Sequence, residues 1–169
     1  VQISEWLKAD KMPVPISVNI SRLDLYNTNL ITVLEGLLEK YKVPHELLRL
    51  EITESAYVEN PIQLIGIVKQ LQALGYHVEM DDFGSGYSSL NTLKDVPVDL
   101  LKIDMKFLEK DKEYGRGGSI LNSIVRMAKW LRLPVLAEGV ETIEQADFLK
   151  SIGCNLVQGY FYSRPIPTS

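Results

Sequence analysis

Six short β-type runs, at residues 16–21, 48–54, 76–80, 98–104, 134–139 and 156–160, alternate with helical stretches along this 169-residue chain. Helical patterns cover 1–10, 30–41, 62–74, 119–130 and 142–152. The first carries Ile3, Trp6 and Leu7 on one face, and the second an apolar stripe of Leu30, Val33, Leu34, Leu37 and Leu38. Pro61 stands where a first helical residue would, Gly75 and Gly153 close helices, and Thr142 with Gln145 forms a capping box. Strand and helix alternating at roughly 20 to 35 residues per unit imply an α/β fold with a parallel sheet and right-handed crossovers. That spacing suits an open doubly wound sheet as well as part of a (β/α)8 barrel, which typically takes about 250 residues.

Composition narrows the setting. A hydrophobic share of 46% is that of a globular core, and the formal net charge of −4 argues against loose binding to nucleic acid or anionic membrane. The single cysteine, Cys154, excludes an internal disulfide and suits a reducing compartment. No apolar run approaches the roughly 20 residues of a membrane helix, and no signal peptide is evident. The expectation is a cytoplasmic domain with no nucleic-acid polymer as partner and no membrane segment. Charge-run and low-complexity linkers are absent, so 1–169 reads as one unit.

Polar residues gather where the strands end: Asn19, Glu51, Asp81 with Asp82, Lys102 with Asp104, Glu138 and Gln158. Alternation puts Arg49, Glu51 and Thr53 on one face of their strand, and Lys102 and Asp104 together on theirs. Ligands of parallel α/β folds collect at the carboxyl ends of strands, and buried charges are costly unless paired or metal-bound. Adjacent carboxylates such as Asp81 and Asp82 repel unless neutralised, and hard divalent cations choose oxygen ligands. A set of carboxylates and one lysine, with neither histidine nor cysteine beside it, suits Mg²⁺ or Mn²⁺ better than zinc. His45 and His77 are expected to be structural, and Cys154 a packed thiol.

Six segments in order carry a resemblance: Ser17-Val18-Asn19-Ile20-Ser21, Glu51-Ile52-Thr53-Glu54, residues 81–90 beginning Asp81-Asp82-Phe83-Gly84, Lys102-Ile103-Asp104, Ala137-Glu138-Gly139-Val140-Glu141 and Gln158-Gly159-Tyr160. Together they resemble the EAL-domain family of cyclic di-GMP phosphodiesterases in bacterial signalling, over residues 14–167. The resemblance implies a (β/α)8 TIM-type barrel of which about six βα units are present. It implies a two-metal Mg²⁺ or Mn²⁺ site on Asn19, Glu51, Asp81, Asp82 and Glu138, with Asp81 bridging the ions. Lys102 would orient or deprotonate the attacking water, Gln158 would line the metal–water site, and Glu54 would pin the 81–90 loop. Substrate contacts would fall on Asp104, Gly159 and Pro165. The implied partners are cyclic di-GMP, a second copy in a homodimer using the 81–90 loop, and a linked diguanylate-cyclase-like (GGDEF) or sensory domain.

The chain departs from the family pattern at its start. The Glu-Ala-Leu signature and the arginine after it are absent, so the expectation is a domain truncated at its N-terminus by two strand units and lacking the last helix. Hydrolysis of cyclic di-GMP to linear pGpG is the function implied. A catalytically silent cyclic di-GMP-binding module is the alternative. An enolase-like Mg²⁺ enzyme shares the acidic strand ends but gives no account of Asp81-Asp82-Phe83-Gly84.

Overall fold

The computed structural model of the chain describes residues 1–84, 90–105 and 115–167. Six strands, β1 (Ile16–Asn19), β2 (Leu48–Thr53), β3 (His77–Asp81), β4 (Leu100–Asp104), β5 (Val135–Glu138) and β6 (Leu156–Val157), form one sheet. Every pair is parallel and the spatial order follows the chain order, β1 to β6. A doubly wound sheet would reverse its order at a switch point, and this one does not. The order is that of a barrel wall, so the alternative that strand spacing left open is decided: the strands make a half-barrel.

Helices occupy the crossovers: α1 (Gln2–Lys8), α2 (Arg22–Leu25), α3 (Leu30–Tyr41), α4 (Ser55–Glu59), α5 (Pro61–Ala73), α6 (Leu90–Asp95), α7 (Arg116–Trp130) and α8 (Ile143–Ile152). A 3₁₀ turn, His45–Leu47, leads into β2. The outward-facing residues Leu50, Ile52, Val78, Met80, Leu101 and Ile103 are buried in one cluster with Leu34 and Leu38 of α3, Leu64, Val68 and Leu71 of α5, Leu121 and Val125 of α7, and Leu149 of α8. The alternate residues face the other way: those of β2 and β3 are polar, as are Lys102 and Asp104 of β4, while Leu100 is apolar. This division puts the apolar core outside the sheet and charge inside it.

Most expected elements are present, and their ends differ for local reasons. The first strand stops at Asn19 because Ser21 turns to cap α2, its Oγ accepting from the Asp24 N–H at 3.1 Å. The last strand stops at Val157 because the Gly159 carbonyl accepts from the Tyr162 and Ser163 N–H groups, folding the chain back on itself. In α1, Ile3 is buried and Trp6 half-buried, while Leu7 is exposed, so the buried stripe is narrower than its pattern suggested. The capping box forms as read: Thr142 Oγ1 accepts from the Gln145 N–H at 3.3 Å, and Gln145 Oε1 accepts from the Thr142 N–H at 3.1 Å. Thr142→Ala is expected to lower stability by about 1 kcal/mol, measured by urea denaturation.

The two histidines and the cysteine have structural surroundings. His45 Nε2 and Tyr76 Oη lie 2.9 and 2.7 Å from Glu35 Oε1, with the His45 ring edge-on to Tyr76. Hydrogen bonds from Tyr76 and then His45 hold the Glu35 carboxyl below its ordinary value of 4.5. A depressed carboxylate contributes stability above its unfolded pKa and loses it as pH falls through the folded one. The difference in melting temperature between wild type and Tyr76→Phe is therefore expected to be constant well above the ordinary value of 4.5 and to shrink as pH falls below it. His77 lies 3.8 Å from Glu79. Cys154 is buried, its Sγ 3.6 Å from the Val135 carbonyl and 3.5 Å from that of Leu156, and burial pushes the thiol up.

Candidate active site

Strand register assembles the polar residues at one end of the sheet. Asn19 is level with Glu51, Thr53 with Asp81, and Asp104 with Glu138. Lys102, from the middle of the sheet, is the hub. Its Nζ donates to Glu51 Oε1 at 2.6 Å and lies 2.7 Å from Glu138 Oε1 and 3.7 Å from Asp81 Oδ1. Lys102 is 6% and Glu51 7% exposed, so these charges are largely desolvated. Burial works against the Lys102 charge, but the hydrogen bonds to Glu138 and Glu51 outweigh it and raise the ammonium's pKa. Burial raises the Glu138 pKa; Lys102 opposes that rise, and the Asp81 and Glu51 carboxylates add to it. One buried ammonium thus faces three carboxylates, and the layer holds an excess of acid.

The chain after β3 is clasped at its root. Asp82 adopts a left-handed φ of 55°, which non-glycine residues rarely take, and its N–H donates to Asp81 Oδ1 at 2.9 Å. Phe83 is buried and its N–H donates to the Lys102 carbonyl at 3.1 Å. Glu54, 6% exposed, accepts from the Gly84 N–H through Oε2 at 3.3 Å, and its own N–H donates to the Asp81 carbonyl. The Glu54 side chain is therefore in contact with the start of the expected mobile loop. Residues 85–89 of that loop, with its expected dimer contact, lie outside the described residues.

Beside this layer a cavity of about 610 Å³ opens between the ends of β4, β5 and β6. Asp104, Glu138, Gln158, Gly159 and Pro165 line it, so the three residues expected to touch substrate share one space with two of the expected catalytic and metal-binding ones. Gln158 is anchored by backbone, its N–H donating to the Ala137 carbonyl at 2.8 Å and its carbonyl accepting from the Val140 N–H at 3.0 Å. Arg164, also lining the cavity, lies over the Tyr160 ring at 5.5 Å. The motif reading gave Tyr160 and Arg164 no role. Both follow the last strand in a segment without periodicity, where only the aromatic and basic character could have pointed to them. Asn19 and Asp82 are exposed at the rim.

The donor set fits hard divalent cations: Asn19, Glu51, Asp81, Asp82 and Glu138 offer only oxygen, and the carboxylates outnumber the lysine. Among the described residues no three acidic, histidine or cysteine side chains already enclose a common point, because the Lys102 ammonium stands between Glu51 and Glu138.

The sequence matches the EAL domain family over residues 1–165. The chain belongs to that family. Among curated relatives, the Pseudomonas aeruginosa cyclic di-GMP phosphodiesterase NbdA is 40% identical over 152 residues, covering 90% of this chain and 19% of that protein. The bifunctional diguanylate cyclase/cyclic di-GMP phosphodiesterase MucR of the same organism is 36% identical over 166 residues, 98% of this chain and 24% of the relative. The EAL chain therefore spans about a fifth to a quarter of the length of these relatives. In structure it is similar to a MucR phosphodiesterase complexed with c-di-GMP, with a TM-score of 0.90, 36% identity, and coverage of 98% of this chain and 67% of that one. It is also similar to Klebsiella pneumoniae BlrP1 in a manganese and c-di-GMP complex, with a TM-score of 0.87, 28% identity, and coverage of 99% and 42%. No helix among the described residues is long and apolar enough to cross a membrane.

Proposed function

We propose that this EAL domain hydrolyses one phosphodiester bond of cyclic di-GMP to give linear pGpG, using two Mg²⁺ or Mn²⁺ ions. The observation that carries the reading is the desolvated Lys102 held among Glu51, Asp81 and Glu138 at the carboxyl ends of three strands, next to a nucleotide-sized cavity. Relatives 36% and 40% identical to it are named as cyclic di-GMP phosphodiesterases. Asn19, Glu51, Asp81, Asp82 and Glu138 would hold the cations, which would supply neutralisation of phosphate charge and activation of the attacking water.

The chain's own groups do the rest. Lys102 orients the attacking water from within the carboxylate layer, and Gln158 lines the same space. Asp104, Gly159 and Pro165 contact substrate in the cavity between β4 and β6. Glu54 holds the Asp81–Gly84 root so that the acidic pair keeps its direction. Residues 1–169 lie within one EAL domain, which works in the cytoplasm as one part of a signalling protein alongside diguanylate-cyclase-like or sensory domains, and self-associates through the 81–90 loop.

Calorimetry with cyclic di-GMP, with and without Mn²⁺, beside chromatography of the same mixtures, tests the reaction. Hydrolysis gives linear pGpG only where the cation is present. Heat of binding with no product in either mixture would instead make the domain a silent receptor for the dinucleotide.

A further inference from the structure

Below the acidic layer lies a second polar layer that the proposed chemistry does not use. Glu79 of β3 is 2% exposed. Its Oε2 accepts from Ser17 Oγ of β1 at 3.0 Å, and its Oε1 accepts from Arg49 Nη1 of β2, also at 3.0 Å. Each member stands two residues before an expected cation ligand on its own strand: Ser17 before Asn19, Arg49 before Glu51, Glu79 before Asp81. Two residues along a strand is one step up the same face.

We infer that Glu79 is a positioning residue: by tying Ser17 and Arg49 to β3 it fixes the relative height of three strands and hence the spacing of Asn19, Glu51 and Asp81. The register shows why such a tie is useful. Glu79 is level with Glu51, and Arg49 is level with His77, so the Arg49–Glu79 pair runs diagonally between neighbouring strands. A diagonal link resists sliding of β2 against β3, which level backbone hydrogen bonds resist less well. The Ser17 link skips β2 altogether, joining alternate strands as interior barrel layers do. A buried ion pair is a poor means of stabilising a core, since apolar side chains of similar volume do as well or better. Its directional geometry is what an apolar pair lacks, and groups behind a metal site typically change affinity about 10- to 100-fold when removed.

The inference rests on the proposed cation site, and the test separates the two. Mn²⁺ binding is measured by calorimetry, well below the melting temperature, for the wild-type chain, Glu79→Gln, Ser17→Ala and the paired replacement Arg49→Met with Glu79→Leu. Cyclic di-GMP turnover is measured on the same samples. Glu79→Gln is expected to weaken Mn²⁺ roughly tenfold. Ser17→Ala, which leaves the ion pair in place and disturbs the fold least, is expected to weaken it by about fivefold. The apolar pair is expected to regain the wild-type melting temperature while Mn²⁺ stays weakened, a split that a merely structural role would not give. An apolar pair or a Ser17→Ala variant that binds Mn²⁺ as the wild type does would overturn the positioning role and leave the phosphodiesterase reading standing. Weakened Mn²⁺ in the variants with no wild-type turnover would keep the positioning role and remove the reaction. A wild type that binds no Mn²⁺ would remove both.

Discussion

Replacing Lys102 with methionine is expected to abolish cyclic di-GMP turnover and to lower the folding free energy by about 3 kcal/mol at neutral pH. Lys102 is the one cation among the described groups that pairs with Glu51, Asp81 and Glu138, and both it and Glu51 are nearly inaccessible to water. Removing it strands carboxylates that burial already penalises, the main reason the Glu138 pKa is raised, with Asp81 and Glu51 adding to it. Breaking a buried pair by deleting one partner is among the most destabilising single changes. Divalent cation should offset the loss: ligand at about a hundred times its dissociation constant contributes about 2.7 kcal/mol. Urea denaturation with and without Mn²⁺ checks this. Stability recovered by the cation, with turnover still absent, separates the structural part of Lys102 from its catalytic part. Near-normal turnover in Lys102→Met would remove it from the reaction.

Gly159→Ala is expected to lower stability by about 2 to 3 kcal/mol and to weaken cyclic di-GMP binding at least tenfold. A Cβ on Gly159 would stand 2.1 Å from the Val140 carbonyl oxygen and 2.3 Å from its nitrogen. Both contacts are backbone, so no side chain can swing away to relieve them. The clash falls where two segments interlock: the Val140 N–H donates to the Gln158 carbonyl, and the Val140 carbonyl accepts from the Phe161 N–H. Separating them moves Gln158 and the 160–166 segment, which together form one wall of the cavity. Calorimetry of the folded variant checks the affinity and thermal denaturation the stability. A variant with wild-type melting and binding would mean that the segment relaxes freely and the cavity wall is not set by this packing.

Much of the sheet was legible because β1, β2 and β3 each carry an apolar outer face and a polar inner one, a pattern that buried parallel strands rarely show so plainly. The β2 sequence, with Leu50 and Ile52 outward and Arg49, Glu51 and Thr53 inward, is the best example. Strand spacing alone could not choose between an open sheet and a barrel wall. The pairing order decided it, and pairing order is a non-local property. The site was readable to the extent that its residues lie at or near strand ends: Asn19, Asp81 and Glu138 end theirs, and Glu51 and Lys102 stand two residues before the ends of theirs. Arg49 stood on the same face as Glu51, yet its partner Glu79 could not be inferred, because the pairing is diagonal and the hydrogen bond joins residues 30 positions apart. The cavity wall from Tyr160 to Ile166 was hidden for another reason. It has no strand or helix period, and its shape depends on the close approach of Gly159 to Val140.

Cation dependence of product formation tests the proposed reaction most directly. The chain is incubated with cyclic di-GMP and Mn²⁺, pGpG is followed by chromatography, chelator is added in mid-reaction, and Mn²⁺ is then restored in excess. A carboxylate-held metal site requires product to form, to stop with the chelator and to resume with the cation. Product formation that continues unchanged through chelation would contradict a reaction run by metal held on Glu51, Asp81 and Glu138.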